Sequence, residues 1–232
     1  MAESKPAKPK GSCLSKIASL LLLCIVAGLG LAIYKIAQPQ DLTDIGGYGP
    51  AAGSANSRDM KVVLQNSIDR SYPVTLTETE INSWLLRVLE TKQTGLLAEQ
   101  VKFERVWVRL EDGRAEVIME RSILGKPMTV SMYLKLDQVE SASGIKTQVH
   151  LHGGPFHENL PQPTRGGRFG QLVVPQGFLV LVMPSYRELA ALFPEEIKLG
   201  FEEMARIRIE KDRLVLDPRA PTREEPAIPD TF

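Results

Sequence analysis

The chain has 232 residues, with 28 Lys+Arg balanced by 28 Asp+Glu. Zero net charge excludes a protein that binds nucleic acid by general phosphate neutralisation, which needs a basic excess. The only cysteines, Cys13 and Cys24, lie near the N-terminus, so the rest of the chain is held by packing without a disulfide.

The charge is unevenly placed. Lys5, Lys8, Lys10, Lys16 and Lys35 stand against Glu3 alone in residues 1–40, which leaves the remainder acidic. Residues 1–16 read as a basic cytoplasmic leader and 17–37 as a transmembrane helix. The stretch from Ile17 to Tyr34 carries no charge and as a helix spans roughly 27 Å, close to a hydrocarbon core of about 30 Å. The alternative is a cleaved signal peptide. Its apolar region normally runs about 7–15 residues, and here the best small-x-small site, Gly30-Leu31-Ala32, falls inside the apolar run. The expectation is therefore an uncleaved, single-pass anchor in a cell inner membrane, N-terminus cytoplasmic, main domain extracytoplasmic.

Residues 38–57 contain Gly46, Gly47, Gly49 and Gly53 with Pro39 and Pro50, and show no apolar period. They read as a flexible linker. Residues 58–217 then read as one α+β domain, an antiparallel β-meander packed against helices. A first helix is expected over 58–70, where Met60, Val63, Leu64 and Ile68 share a face. A short extended piece over 74–76 leads into a second helix, opened by the Thr77-x-x-Glu80 spacing of a capping box. Its stripe is Ile81, Trp84, Leu85, Val88 and Leu89.

From Val101 the apolar period changes to two. Val101 and Phe103 have the opposite parity to Val106, Val108 and Leu110, which predicts a bulge near Glu104-Arg105. Asp112-Gly113, Gly125-Lys126-Pro127 and Ser141 to Gly144 supply turns. Between them Ala115, Val117 and Met119, then Met128, Val130, Met132, Leu134 and Leu136, then Ile145, Val149 and Leu151 alternate with polar residues such as Glu116, Glu120 and Ser131. Four strands with one wet face follow. Residues 153–170 are polar and rich in Gly and Pro and read as a loop. Residues 175–193 are apolar and read as helical, with a restart at Pro184. Pro194 fits the first turn of another helix. Ile207, Ile209, Leu214 and Leu216 flank a Lys211-Asp212 turn, and 218–232 reads as a disordered tail.

No nucleophile elbow, phosphate loop or Cys/His cluster is present, so no enzyme and no cofactor are expected. His150, His152, His157 and Glu158 cluster in sequence. Gly144 and the His-x-His pair have the spacing of a first cupin motif, which gives a remote alternative of a metal site at His150 and His152. Against it, no fourth histidine exists, and the simpler reading is two solvated histidines on a strand.

Two features favour an apolar ligand. Met119, Met128 and Met132 fall on one strand face, where methionine suits adaptable apolar space. The segment 178–183 is apolar all round. The candidate ligand-binding residues are therefore Met128, Val130, Met132 and Leu134 on the strand, with Phe178 and Leu181 facing them across a shared cavity.

The stretch Val74-Thr-Leu-Thr-Glu-Thr-Glu-Ile-Asn-Ser-Trp-Leu-Leu86 resembles the opening of bacterial membrane-tethered envelope domains of the tubular lipid-binding-like (TULIP-like) group. There a short strand runs into a helix opened by Thr-x-x-Glu-(Leu/Ile)-Asn, matched here by Thr77, Glu80, Ile81 and Asn82. The order of elements is similar from about Tyr72 to Pro218. The chain departs from the lipoprotein members in lacking a lipobox. The resemblance carries no catalytic residues and implies binding of a lipid or another long apolar molecule. The alternative is a tethered scaffold that contacts another protein of an envelope complex.

Overall fold

The computed structural model describes residues 13–49, 58–93, 104–123, 126–141 and 144–219. Helix α1 (Cys13–Ala37) stands out from the domain, exposed from Leu14 to Leu31. Its stretch Leu14–Ala37 is long and apolar enough to cross a membrane. This is what an anchor requires, and a signal sequence at this position meets the same test.

Beyond α1 the chain is a mixed α+β domain. Helix α2 (Met60–Asp69) starts where the Asp59 carboxylate accepts hydrogen bonds from the N–H groups of Lys61 and Val62. Strand β1 (Val74–Thr77) leads into α3 (Glu78–Gln93). The capping box closes as its spacing predicts: Glu80 N–H donates to Thr77 Oγ1 at 3.2 Å, and Thr77 N–H donates to Glu80 Oε2 at 3.0 Å.

The meander is β2 (Arg105–Glu111), β3 (Arg114–Ile123), β4 (Lys126–Ser141) and β5 (Gly144–Leu151), each antiparallel to the next. The register between β2 and β3 is regular from Arg105 onward. Val101 and Phe103, on which the expected bulge rested, lie outside the described residues.

The Gly/Pro-rich stretch is not a loop. It forms β6 (Pro155–His157) and β7 (Leu160–Phe169), and β7 pairs with β4 through Val130, Ser131 and Met132. Its glycines are there for proximity. A Cβ on Gly167 would stand 1.9 Å from the Ser131 carbonyl oxygen, and one on Gly166 2.6 Å from Gln176 Cα. Strand β8 (Leu172–Pro175) folds back on β7 and completes a seven-stranded sheet.

The apolar segment after β8 is a 3-10 helix, Gln176–Leu181, followed by α4 (Met183–Ala191) with Pro184 in its first turn. A short α5 (Pro194–Ile197) and a π turn, Lys198–Glu202, lead to the hairpin β9 (Arg206–Glu210) and β10 (Arg213–Asp217). Strand β10 also pairs with β1, Val74 opposite Leu216, so that a three-stranded sheet joins the two ends of the domain. Residues 220–232 of the expected tail lie outside the described residues.

Two expectations are corrected together. Residues 38–49 of the expected linker are not free chain: they form a strap across the face of the meander expected to be wet. Leu42 and Ile45 are buried and pack with Trp107 and Ile118. Under the strap Glu116, Ile118 and Ser131 are 0% exposed, and Thr129 and Tyr133 are also buried. Alternation along a strand shows which residues share a face, but it does not distinguish polar groups in water from polar groups paired inside. Residues 50–57 lie outside the described residues.

Candidate functional site

The helix side of the sheet carries the main core, and the core is not full. A cavity of about 320 Å³, open on one side, lies between the sheet and the helices. Val106, Val108 and Leu110 of β2, Ala115 and Val117 of β3, and Met132, Leu134 and Leu136 of β4 form its floor. These are the inward positions of period-two strands, so one parity supplies the whole floor. Leu64 of α2, the Ile81, Trp84 and Leu85 stripe of α3, Leu189 of α4 and Phe193 form its walls. The rings of Trp84 and Phe193 lie 5.3 Å apart at one corner. Small residues leave the space: Ala115 and Ala190 are on the lining, and Gly200 faces Leu64 with room for a Cβ.

The lining offers almost nothing polar. Glu196 is its one ionisable acid, at the α5 end. The Tyr186 hydroxyl is already committed, donating towards the carbonyl oxygens of Val117 and Val130 at 3.0 Å each. Burial pushes this phenol well above its usual range, with Glu116 adding to the shift. The cavity therefore suits a hydrocarbon chain and would leave any polar head outside.

Of the sequence-derived ligand residues, Met132 and Leu134 are on the cavity floor. Val130 packs on the core beside them, half-buried, and Met128 is half-buried nearer the start of β4. Neither is on the lining. Phe178 and Leu181 point outward and are exposed, while Leu179 between them is the buried side chain of that turn. The opposite wall belongs to Trp84, Leu85, Leu189 and Phe193 instead. The helical stripe of α3 was visible in the sequence, but that Trp84 meets Phe193 at a corner of the cavity was not.

On the strap side the sheet holds a second constellation. Arg109 Nη1 donates to Glu116 Oε2 at 2.6 Å, Ser131 Oγ donates to Glu116 Oε1 at 2.5 Å, and Arg109 Nη2 donates to Asp44 Oδ1 at 2.8 Å. Burial alone would lower the Arg109 pKa, but Glu116 and Asp44 outweigh it and hold it above its usual value. Arg168 Nε donates to Tyr133 Oη at 2.9 Å and lies 3.7 Å from Glu116. The bonds run mostly within the cluster and to the strap, which makes it a fastening between strap and sheet, although Arg109 Nε and the Gln40 side chain are buried without a hydrogen-bond partner.

The histidines do not converge. His150 is on β5 opposite Lys135, with its nearest carboxylate, Asp137, 3.7 Å away. His152 follows the end of β5, and His157 is on β6. Among the described residues no three His, Cys, Asp or Glu side chains stand close enough to hold a metal.

Compared with models of known protein families, with curated proteins and with solved structures, the chain matches none.

Proposed function

We propose that this chain is a single-pass membrane protein whose extracytoplasmic domain takes the acyl chain of a lipid, or a similar long apolar molecule, into the cavity between β2–β4 and α3–α4. The cavity carries this reading. An engineered apolar cavity of about 150 Å³ admits benzene, so 320 Å³ accommodates roughly a dozen carbon atoms by proportion. Each methylene moved there from water contributes about 0.8 kcal/mol before the costs of ordering the chain. The domain acts by binding, since the cavity lining is apolar and the strap-side carboxylate Glu116 is taken up by Arg109 and Ser131. The basic leader supports a cytoplasmic N-terminus, since positive charge flanking a span favours the inner side.

The test is native mass spectrometry and lipid extraction on the full chain, purified in detergent, beside Met132→Trp. Bound lipid in the wild type, lost from a variant that melts no lower, supports the reading. A lipid-free wild type, with the variant destabilised by about 1–3 kcal/mol through overpacking, overturns it and leaves the tethered scaffold.

A further inference from the structure

The 3-10 helix Gln176–Leu181 holds three large apolar side chains outward: Phe178 is 54%, Val180 71% and Leu181 70% exposed. Among the described residues outside α1, Val180 and Leu181 are the most exposed large hydrophobics, and the three sit within four positions. Contiguous apolar exposure of this kind marks a contact surface, unlike hydrophobes scattered singly. The segment is also fixed. Leu179 is buried and lies 3.1 Å from the position a Cβ on Gly166 would take, and Val182 N–H donates to the Leu179 carbonyl. Before it Pro175 pairs with Arg165, and after it Tyr186 is bonded to β3 and β4.

The location of this turn suggests what covers it. Helix α1 is seated on the turn between β7 and β8. Gln171 N–H donates to the Lys35 carbonyl at 2.9 Å. Gly170, at φ +55°, leaves no room for a Cβ, which would stand 2.3 Å from the Ile36 oxygen and 2.4 Å from that of Gln38. On the next stretch Gln40 N–H donates to Thr129 Oγ1. The domain is thus clamped to the end of the apolar helix with no slack. Strand β8 starts at this seat and reaches Gln176 four residues later, about 13 Å at most, and Leu181 lies up to about 10 Å further along the 3-10 helix. The chain then returns, since Tyr186 bonds to Val130, whose partner on β7 is Phe169, next to the seat.

We propose that Phe178, Val180 and Leu181 rest in the interface of the same bilayer that α1 spans, so that the domain has two points of attachment. Large apolar side chains beside the end of a spanning helix suit that zone, as interfacial segments bury an apolar face about 5–10 Å deep, and Lys35 marks the headgroup level. This rests on the anchor reading above and not on the cavity reading.

The full chain would be reconstituted in phosphatidylethanolamine–phosphatidylglycerol vesicles whose acyl chains carry bromine, a contact quencher of tryptophan. Native Trp84 and Trp107 are buried and give the background. Leu181→Trp and Val180→Trp report on the turn, Val149→Trp on an exposed position of β5, and Leu22→Trp on the anchor. The expected result is that the two turn reporters and Leu22→Trp lose most of their added fluorescence, whereas Val149→Trp loses none. If Leu22→Trp is quenched but both turn reporters behave like Val149→Trp, the anchor stands and the second attachment is overturned, leaving the turn to a protein partner. If Leu22→Trp is not quenched, the anchor reading falls and takes this proposal with it.

Discussion

The Asn82 side chain bonds only to main chain, and to two separate segments. Its amide donates to the carbonyl oxygens of Gly46 and Val108, each at 2.8 Å, and its oxygen accepts from Val108 N–H at 2.7 Å. It completes the ladder of β2 at the sheet edge and fastens the strap to it. One turn earlier Glu78 accepts from Gly46 N–H at 2.6 Å and Leu110 N–H at 2.5 Å. Asn82→Ala would orphan buried donors and acceptors, for an expected loss of about 2–4 kcal/mol in urea unfolding. Asn82→Asp should be at least as harmful, because a carboxylate would face two carbonyl oxygens. Burial raises the Glu78 pKa against the opposing pull of those two N–H groups. Its effect on stability is therefore most favourable at low pH and weakens as pH rises through the raised value. Asp217 has the opposite sign. The Arg219 guanidinium, bonded to it, is the main reason its carboxyl is lowered to about 2. Its contribution is complete above the unfolded value of about 3.9 and disappears as pH falls from there through about 2. Melting followed from pH 5 to 2 should lose less stability in Arg219→Ala than in the wild type.

The strap is the element on which sequence and structure part furthest. Removing Leu42 or Ile45 to alanine should cost about 2–5 kcal/mol each, as for other buried aliphatics, where a free linker would show no change in melting temperature. Glu116→Ala should cost about 1–3 kcal/mol, because it leaves Arg109 Nη1 and Ser131 Oγ without their shared partner while Asp44 still holds Arg109. Capping box, meander and final hairpin were legible because their signals are local: Thr77 with Glu80, alternation along β4, and Asp212 in the β9–β10 turn. The strap and β7 were not, because glycine looks the same whether it frees a chain or lets it approach another. Gly46 lies where a Cβ would be 2.8 Å from Thr79 Oγ1, Gly47 needs φ +84°, and Gly167 lies against Ser131. In the site, parity placed Met132 and Leu134 correctly on the inner face, since a strand has only two faces. The wall opposite them is set by how far α3, α4 and Phe193 stand from the sheet, which no single segment encodes.

For the whole molecule, the basic leader and the seat of α1 together predict an orientation. Protease added to spheroplasts should digest the domain and spare the leader; a protected domain would reverse the assignment. The pairing of β1 with β10 has a consequence for biosynthesis. Val74 finds its partner Leu216 only after most of the domain has been made. Helix α1 and the strap emerge first, so they are complete while β1 still has an open edge. The three-stranded sheet, and the wall that Leu76, Leu214 and Leu216 give the cavity, can close only once residue 217 has been made. Chains stopped before β9 should therefore be degraded despite a complete meander, and pulse-chase labelling should show protease resistance arising only at full length.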